Sequence, residues 1–164
     1  MVSVDSNKGE MFFVYGYGGT GKTFVWKTLL AALRSKGQIV LNVASSSITS
    51  LLLPGGRTTH SRFAIPFNPN EESTCNIKQG SHIAKLIVKS KLITWDKAPM
   101  MHKFCFESLD RSMRDLMRFE NPTNFQLPFG GNAIVFDDIG DGKIKEPNDG
   151  YANIDIPDEM LLKD

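Results

Sequence analysis

The stretch of this chain best suited to chemistry reads Gly16-Tyr17-Gly18-Gly19-Thr20-Gly21-Lys22-Thr23. It matches the pattern G-x-x-x-x-G-K-[ST] of a phosphate-binding loop (P-loop) at every specified position. The glycines let the backbone wrap closely around a polyphosphate, so that successive N–H groups can point at its oxygens. Lys22 would place a positive charge on the β- and γ-phosphates, and the Thr23 hydroxyl would bind Mg²⁺. The sequence therefore predicts a site for a nucleoside triphosphate, with the binding residues Gly16, Gly18, Gly19, Thr20, Gly21, Lys22 and Thr23.

Two further groups of polar residues follow predicted strands. Asp96 ends the apolar run 92–95, where a P-loop protein has the aspartate that orders Mg²⁺. The alternative is that Asp96 is an ordinary loop or capping residue. The segment 57–69, which includes Thr58, His60, Ser61 and Phe63, follows the second predicted strand. Its residues could contact phosphates, but on composition alone an ordinary polar loop is the better interpretation.

The elements around the glycine-rich loop are those that its mechanism requires. Residues 11–15 form a short apolar run typical of a buried strand, and apolar residues then recur at helical spacing from Val25 until Gly37 ends the helix. Strands that alternate with helices predict an α/β fold, a three-layer parallel sheet with helices on both faces. The other elements predicted in this way are strands over residues 38–44, 92–96 and 132–136, and helices over residues 45–53, from Ser81 and over 102–118.

Composition sets the scale of the molecule. With 164 residues and 41% hydrophobic content, the chain is expected to form one domain with a real core. No apolar run approaches the ~20 residues of a membrane span, and the polar start shows no signal peptide, so we expect a soluble intracellular protein. Cys75 and Cys105 lack metal-ligand spacing and are expected to be reduced and at least half-buried.

Charge is unevenly distributed along the chain. Residues 1–136 carry 16 Lys and Arg against 9 Asp and Glu, whereas residues 137–164 carry 3 against 9. A basic body suits a nucleic-acid partner, although basic faces are also common on proteins that bind none. We therefore divide the chain into a polar lead-in over residues 1–10, a P-loop domain over 11–136 and an acidic tail over 137–164. The tail has little apolar patterning and is expected to be flexible.

Several blocks of residues together carry a resemblance to a known family. They are residues 13–23, 44–46, 51–58, 60–66, 95–101 and 128–131. In combination they resemble the Pif-type (petite integration frequency) DNA helicases, and most of all the branch linked to plant Helitron transposons. The resemblance covers residues 10–136. It implies the first RecA-like domain of an ATP-dependent 5′-to-3′ DNA helicase, with ATP and Mg²⁺ as cofactors.

The same resemblance implies roles for particular residues. Lys22 and Asp96 would be catalytic, and Thr23 and Asp96 would bind Mg²⁺. The region that faces single-stranded DNA in the family corresponds here to Thr58, His60, Ser61 and Phe63. Such an enzyme would act in the nucleus, in DNA repair, recombination and telomere maintenance.

Four departures from the family bear on activity. Lys97 stands where the family has the glutamate that activates the attacking water, and a charged lysine cannot accept that proton. After Phe136 the family continues Gly-Gly-Asp-Phe-Arg-Gln, whose glutamine senses the γ-phosphate, but this chain reads Asp137-Asp138-Ile139. Residues 139–150 resemble sequence from further downstream in these helicases, which predicts an internal deletion near residues 136–139. The second RecA-like domain with its arginine finger, and the glutamine motif before the first strand, are expected to be missing.

The sequence therefore predicts an ATP-dependent DNA helicase by family, with impaired hydrolysis in this chain. One alternative is a non-catalytic remnant that binds Mg-ATP, single-stranded DNA or both. A small P-loop kinase is a further alternative, disfavoured because no arginine-bearing lid follows the third strand. If turnover were found, Asp137 or Asp138 would be the carboxylates expected to replace the lost glutamate.

Overall fold

Five parallel strands form the centre of the part of the chain that the structure describes. The computed structural model describes residues 9–14 and 22–137, and of residues 22, 23, 25 and 26 it describes the backbone alone. All strand pairings are parallel, so the carboxyl ends of the strands lie together at one edge of the sheet. The strand order is β1-β5-β4-β2-β3, with β1 at Met11–Val14, β2 at Ile39–Ala44, β3 at Arg57–Thr58, β4 at Ser90–Asp96 and β5 at Ala133–Asp137.

Helices cover both faces of this sheet, which confirms the predicted three-layer α/β fold. The helices are α1 (Lys22–Ser35), α2 (Ser47–Leu52), α3 (Thr59–Phe63), α4 (His82–Lys89) and α5 (Lys103–Met117). One face of the sheet packs against α1 through Leu30 and Leu33. The other face packs against α4 and α5 through residues that include Ile87, Leu109 and Met113. Among the described helices, none is long and apolar enough to cross a membrane.

The core between the sheet and α5 is aromatic. Trp95 of β4 is fully buried and stacks on Phe106 of α5, with ring centroids 4.5 Å apart. The ring centroid of Phe136, on β5, lies 5.8 Å from that of Phe106 and 5.0 Å from that of Phe13 on β1. Met113 is buried in the same core, as its helical spacing predicted. These contacts tie three strands to one helix.

Both cysteines are buried free thiols, as predicted. Burial raises the pKa of the Cys75 thiol to about 11 and also raises the pKa of Cys105. The two side chains are therefore protonated at neutral pH, and they act as small apolar groups within the core on the α5 side.

The turn that precedes β5 is held by buried contacts. Its residues Phe129 and Gly130 both have left-handed backbone, with φ angles of 49° and 64°. The Phe129 N–H donates a 2.6 Å hydrogen bond to Asp110 Oδ1, and Asp110 Oδ2 lies 2.7 Å from the Arg114 guanidinium. A Cβ at Gly130 would come within 2.5 Å of the Met117 side chain, so only glycine fits there. The turn thus fixes where β5 enters the sheet.

The sequence interpretation missed two short elements between residues 57 and 63. It described this segment as a polar loop, whereas the structure forms the two-residue strand β3 and the helix α3. Thr58 caps α3 by accepting a hydrogen bond from the Ser61 N–H. Both elements are too short for apolar periodicity to show. The strand β5 ends at Asp137, the residue at which the predicted acidic tail begins. The remainder of the predicted tail lies outside the described residues.

Candidate functional site

The predicted P-loop begins just after β1 ends at Val14. The predicted phosphate contacts of its glycines and of Thr20 stay predictions, because residues 15–21 are not described. Lys22 and Thr23 are the first residues of α1, and only their backbone is described. The structure thus has a strand before the glycine-rich stretch and a helix directly after it. A helix N-terminus at this point suits an anionic ligand.

Two carboxylates lie side by side at the carboxyl edge of the sheet. Asp96 is the last residue of β4, Asp137 is the last residue of β5, and the two are register partners. Asp137 is also the register partner of Val14, the last residue of β1. Asp137 is buried and Asp96 is half-buried. Asp137 therefore neighbours β1, the strand that leads into the P-loop sequence, and Asp96 lies one strand further away.

Both carboxylates point to the face of the sheet that α1 covers. The residues just before them, Trp95 and Phe136, point into the opposite, aromatic core, where their ring centroids are 5.9 Å apart. Because side chains alternate along a strand, Asp96 and Asp137 point the other way. The structure thus brings the predicted Mg²⁺ residue Asp96 to the side of α1, the helix that begins at Lys22. Sequence reasoning had named Asp137 only as a replacement for the lost glutamate.

Lys97 has an uncommon backbone conformation directly after Asp96. Its φ and ψ angles are 56° and 40°, in the left-handed region that residues other than glycine rarely occupy. The Lys97 carbonyl accepts a 3.1 Å hydrogen bond from the Met100 N–H, which begins a 3-10 turn over Ala98–Met100. Strained backbone of this kind is concentrated at functional sites. Two other non-glycine residues of the described structure, Ala64 and Phe129, share this conformation, and the role of position 97 in the site stays a prediction.

Hydrogen bonds join the carboxyl end of β2 to the carboxyl end of β4, next to Asp96. The Ser45 N–H donates to the Asp96 carbonyl at 3.1 Å, and Trp95 Nε1–H donates to Ser45 Oγ at 3.1 Å. Ser46 caps α2 by accepting a hydrogen bond from the Thr49 N–H. The block 44–46 thus fastens β2 to β4 where Asp96 emerges.

The residues predicted to face DNA divide into two groups. Ser61 is exposed, and Thr58 and His60 are half-buried, all on α3 or directly before it. Phe63 is fully buried and belongs to the core between the sheet and α5. The Phe63 ring is packed inside the core and is therefore not available to stack on a nucleobase.

Sequence reasoning missed other residues near α3. Phe67 is strongly exposed, and its ring stacks on His60 with centroids 5.9 Å apart. Arg57 is exposed, and the Arg62 guanidinium donates to the Gly55 carbonyl at 3.1 Å. Burial, and after it the charge of Arg57, lowers the pKa of Arg62. The sequence offered a weak signal, a second phenylalanine soon after Phe63, but nothing in it indicated which ring is buried.

Comparison with known proteins identifies the family. A family model described as PIF1-like helicase matches residues 1–148. The chain belongs to the PIF1-like helicase family. ATP-dependent DNA helicase PIF4 of Trypanosoma brucei brucei is 29% identical over 132 residues, which are 77% of this chain and 15% of that protein. ATP-dependent DNA helicase PIF1 of the same organism is 27% identical over 143 residues, 85% of this chain and 14% of that protein.

Solved structures of PIF1-like helicases share the fold. Bacteroides Pif1 bound to single-stranded DNA matches with a TM-score of 0.65 and 27% identity, over 80% of this chain and 29% of that one. Bacteroides Pif1 in complex with ADP-AlF4 matches with a TM-score of 0.63 and 25% identity, over 83% of this chain and 30% of that one. This PIF1-like chain spans about 15% of the length of the curated relatives that it matches.

Proposed function

We propose that this chain supplies the nucleotide-binding edge of the first RecA-like domain of an ATP-dependent 5′-to-3′ DNA helicase, and that it binds Mg-ATP with little hydrolysis. The observation that carries the proposal is the register of Val14, Asp137 and Asp96 at one edge of the sheet. The first of these strand ends continues into the G-x-x-x-x-G-K-T sequence. The similarity to a Bacteroides Pif1 complex with ADP-AlF4 supports a nucleotide at this edge.

Phosphate binding falls to the P-loop residues. The backbone N–H groups of Gly16, Gly18, Gly19, Thr20 and Gly21 would surround the polyphosphate, and the N-terminal end of α1 would add its partial positive charge. Lys22 would pair with the β- and γ-phosphate oxygens. Together these groups would supply most of the affinity for ATP.

The carboxylates suit a magnesium ion. Mg²⁺ prefers oxygen ligands and keeps several waters, so one or two carboxylates together with substrate phosphates are its usual partners. In the part of the chain that the structure describes, no group of three His, Cys, Asp or Glu side chains is placed to hold a metal ion. The protein would therefore supply only part of the coordination shell. Thr23 and Asp96 would hold the ion, which neutralises charge on the phosphates when bound.

Hydrolysis would be impaired at Lys97. The attacking water needs a group that accepts its proton, and a charged ammonium cannot do so. The γ-phosphate-sensing glutamine is also replaced, since Asp137 and Asp138 follow Phe136. Asp137 is the register partner of Asp96 and would be the carboxylate to take over if turnover occurred.

The wider role rests on the family. Bacteroides Pif1 has been solved with single-stranded DNA, which supports a DNA contact by Thr58, His60 and Ser61 in this chain. We extend the proposal to helicase action in DNA repair, recombination and telomere maintenance, with a nuclear location.

Binding and turnover are tested separately. Titration calorimetry with ATP should show binding that weakens when EDTA removes Mg²⁺. Phosphate release should stay at the level of buffer, with and without single-stranded DNA. Absence of ATP binding would overturn the nucleotide site, and DNA-stimulated phosphate release would overturn the claim of impaired hydrolysis.

A further inference from the structure

An exposed pair of stacked rings lies beside α3. Phe67 is 92% exposed, the highest value among the large apolar side chains described on the surface. Its ring stacks on His60 with centroids 5.9 Å apart and planes inclined by only 16°. The phenylalanine ring is thus nearly parallel to the imidazole, and almost all of its surface is open to solvent.

The chain on either side of this ring pair is fastened to the protein. Before Phe67, the side chains of Phe63 and Ile65 are buried in the core. After it, the Asn76 N–H donates a 2.9 Å hydrogen bond to the Ala64 carbonyl and closes the loop. The exposed ring therefore sits in an anchored loop, and its only ring contact among the described residues is with His60.

The surroundings of the pair suit a nucleic-acid strand. Arg57 precedes α3 and Arg62 lies within it, and no ion pair within the described residues involves either guanidinium. The exposed Ser61 hydroxyl lies on the same helix. The acidic residues of the loop, Glu71 and Glu72, lie in a later turn. Proteins that hold single strands combine cations along the backbone with aromatic rings on which bases stack.

From this arrangement we propose that Phe67, backed by His60, is a stacking platform for a base of single-stranded DNA. The inference rests on the proposed DNA contact at α3. In it, the aromatic residue that contacts DNA is the exposed Phe67, not the buried Phe63. Every base has a π-face, so the platform would accept any base. A duplex would bind less well, because its bases already stack on one another.

The test is fluorescence anisotropy of a labelled oligo(dT) with the full chain. Phe67→Ala should weaken binding about tenfold, since one base stacked on an aromatic side chain contributes ~1–3 kcal/mol. Phe67→Trp should keep the affinity, and its indole fluorescence should be quenched by the oligonucleotide. Leu51→Ala is the matched control, because it removes another exposed apolar side chain, on α2, that has no stacking partner. It should bind as the wild type does.

A second oligonucleotide separates stacking from charge. On a strand of abasic nucleotides the phosphates remain and the bases are gone, so wild type and Phe67→Ala should bind equally. Equal binding of oligo(dT) by these two proteins would overturn the platform and leave the proposed DNA contact standing. A loss in Leu51→Ala as large as that in Phe67→Ala would also overturn it. If wild type bound ATP but not oligo(dT), the DNA contact itself would fall, and the platform with it.

Discussion

The two faces of the central sheet are built from different residues. On the face toward α4 and α5, Trp95, Phe106 and Phe136 stack into one aromatic cluster. On the face toward α1, the buried core residues are aliphatic, and Phe12 packs against them partly buried. The buried polar pair Asn42 and Thr94 is joined there by a 2.9 Å hydrogen bond. The face that leads to the carboxylates thus carries polar groups even inside the sheet. The stacked rings therefore lie on one face of the sheet, and the buried polar pair and the carboxylates lie on the other.

Strand β4 shows the division within a single element. Ile93 and Trp95 point into the aromatic core, while Leu92, Thr94 and Asp96 follow the alternate positions toward α1. Along that second row the side chains change from aliphatic to hydroxyl to carboxylate as the strand approaches the site. One strand can therefore hold the fold with one set of residues and present a charge with the other.

The largest effect that tests this comparison is expected from Ile93→Ala. Ile93 and its neighbour Leu92 are isomers, and both are buried, on opposite faces of the sheet. Ile93→Ala should lower the free energy of unfolding by about 4 kcal/mol and Leu92→Ala by about 2.5 kcal/mol, within the usual range for such deletions. The cavity among rigid rings collapses less readily than one among aliphatic chains. Urea denaturation of the two variants measures the difference, and equal losses would break the comparison.

The next effect concerns binding on the α1 face. Lys22→Ala should weaken ATP binding by about 1.5–3 kcal/mol, because it removes the side-chain cation that the motif supplies to the phosphates. Lys27→Ala, on the exposed surface of the same helix, is the matched control and should bind as the wild type does. Titration calorimetry gives both affinities. Unchanged binding by Lys22→Ala would show that the P-loop sequence does not form the site.

A smaller effect is expected from Asp110→Asn on the α5 face. The substitution keeps the shape but removes the charge that holds the Phe129 N–H and Arg114, at a cost of about 2 kcal/mol in stability. The control is Asp115→Asn on the same helix, whose exposed pair with Arg118 should contribute less than about 0.5 kcal/mol. Thermal unfolding distinguishes the two variants. Equal stabilities would mean that the turn before β5 does not depend on this carboxylate.

The smallest effect, on ATP turnover, is expected from a substitution at Lys97, directly after the carboxyl end of β4. Lys97→Glu returns a carboxylate to the position of the lost base, yet phosphate release should remain at background. Under the proposed function, turnover would still need the γ-phosphate-sensing glutamine, whose place Asp137 and Asp138 take, and an arginine finger from a second domain. An arginine finger alone accounts for ~10³–10⁵ in rate. The control is Lys85→Glu, which makes the same charge change at an exposed position of α4. A rise in turnover for Lys97→Glu alone would show that one missing carboxylate explains the impairment.

Much of the fold could be predicted because its strands and longer helices have clear periodicity. The buried stripe of α5 and the Ser81 cap of α4 both agree with the sequence interpretation. The pairing of Asp96 with Asp137 could not be predicted from the sequence, because it depends on which strand lies between β1 and β4. The sequence also could not predict that Phe63 is buried and Phe67 exposed, because this depends on the left-handed backbone of one residue between them, Ala64. A long helix or strand repeats its apolar pattern over several residues, whereas a strand order or a one-residue turn leaves no repeated pattern in the sequence.

The position of β5 in the sheet has a consequence for how the protein is made. β5 is the last of the described strands in the sequence, yet it lies between β1 and β4 and pairs with both. Among the described strands, β1 leaves the ribosome first and has no neighbour in the sheet until β5 follows. The sheet therefore cannot close progressively behind the ribosome. The nascent chain must therefore leave the backbone groups of β1 and β4 that pair with β5 without these partners until the ribosome has nearly finished this stretch. A chaperone would have most to bind during this period.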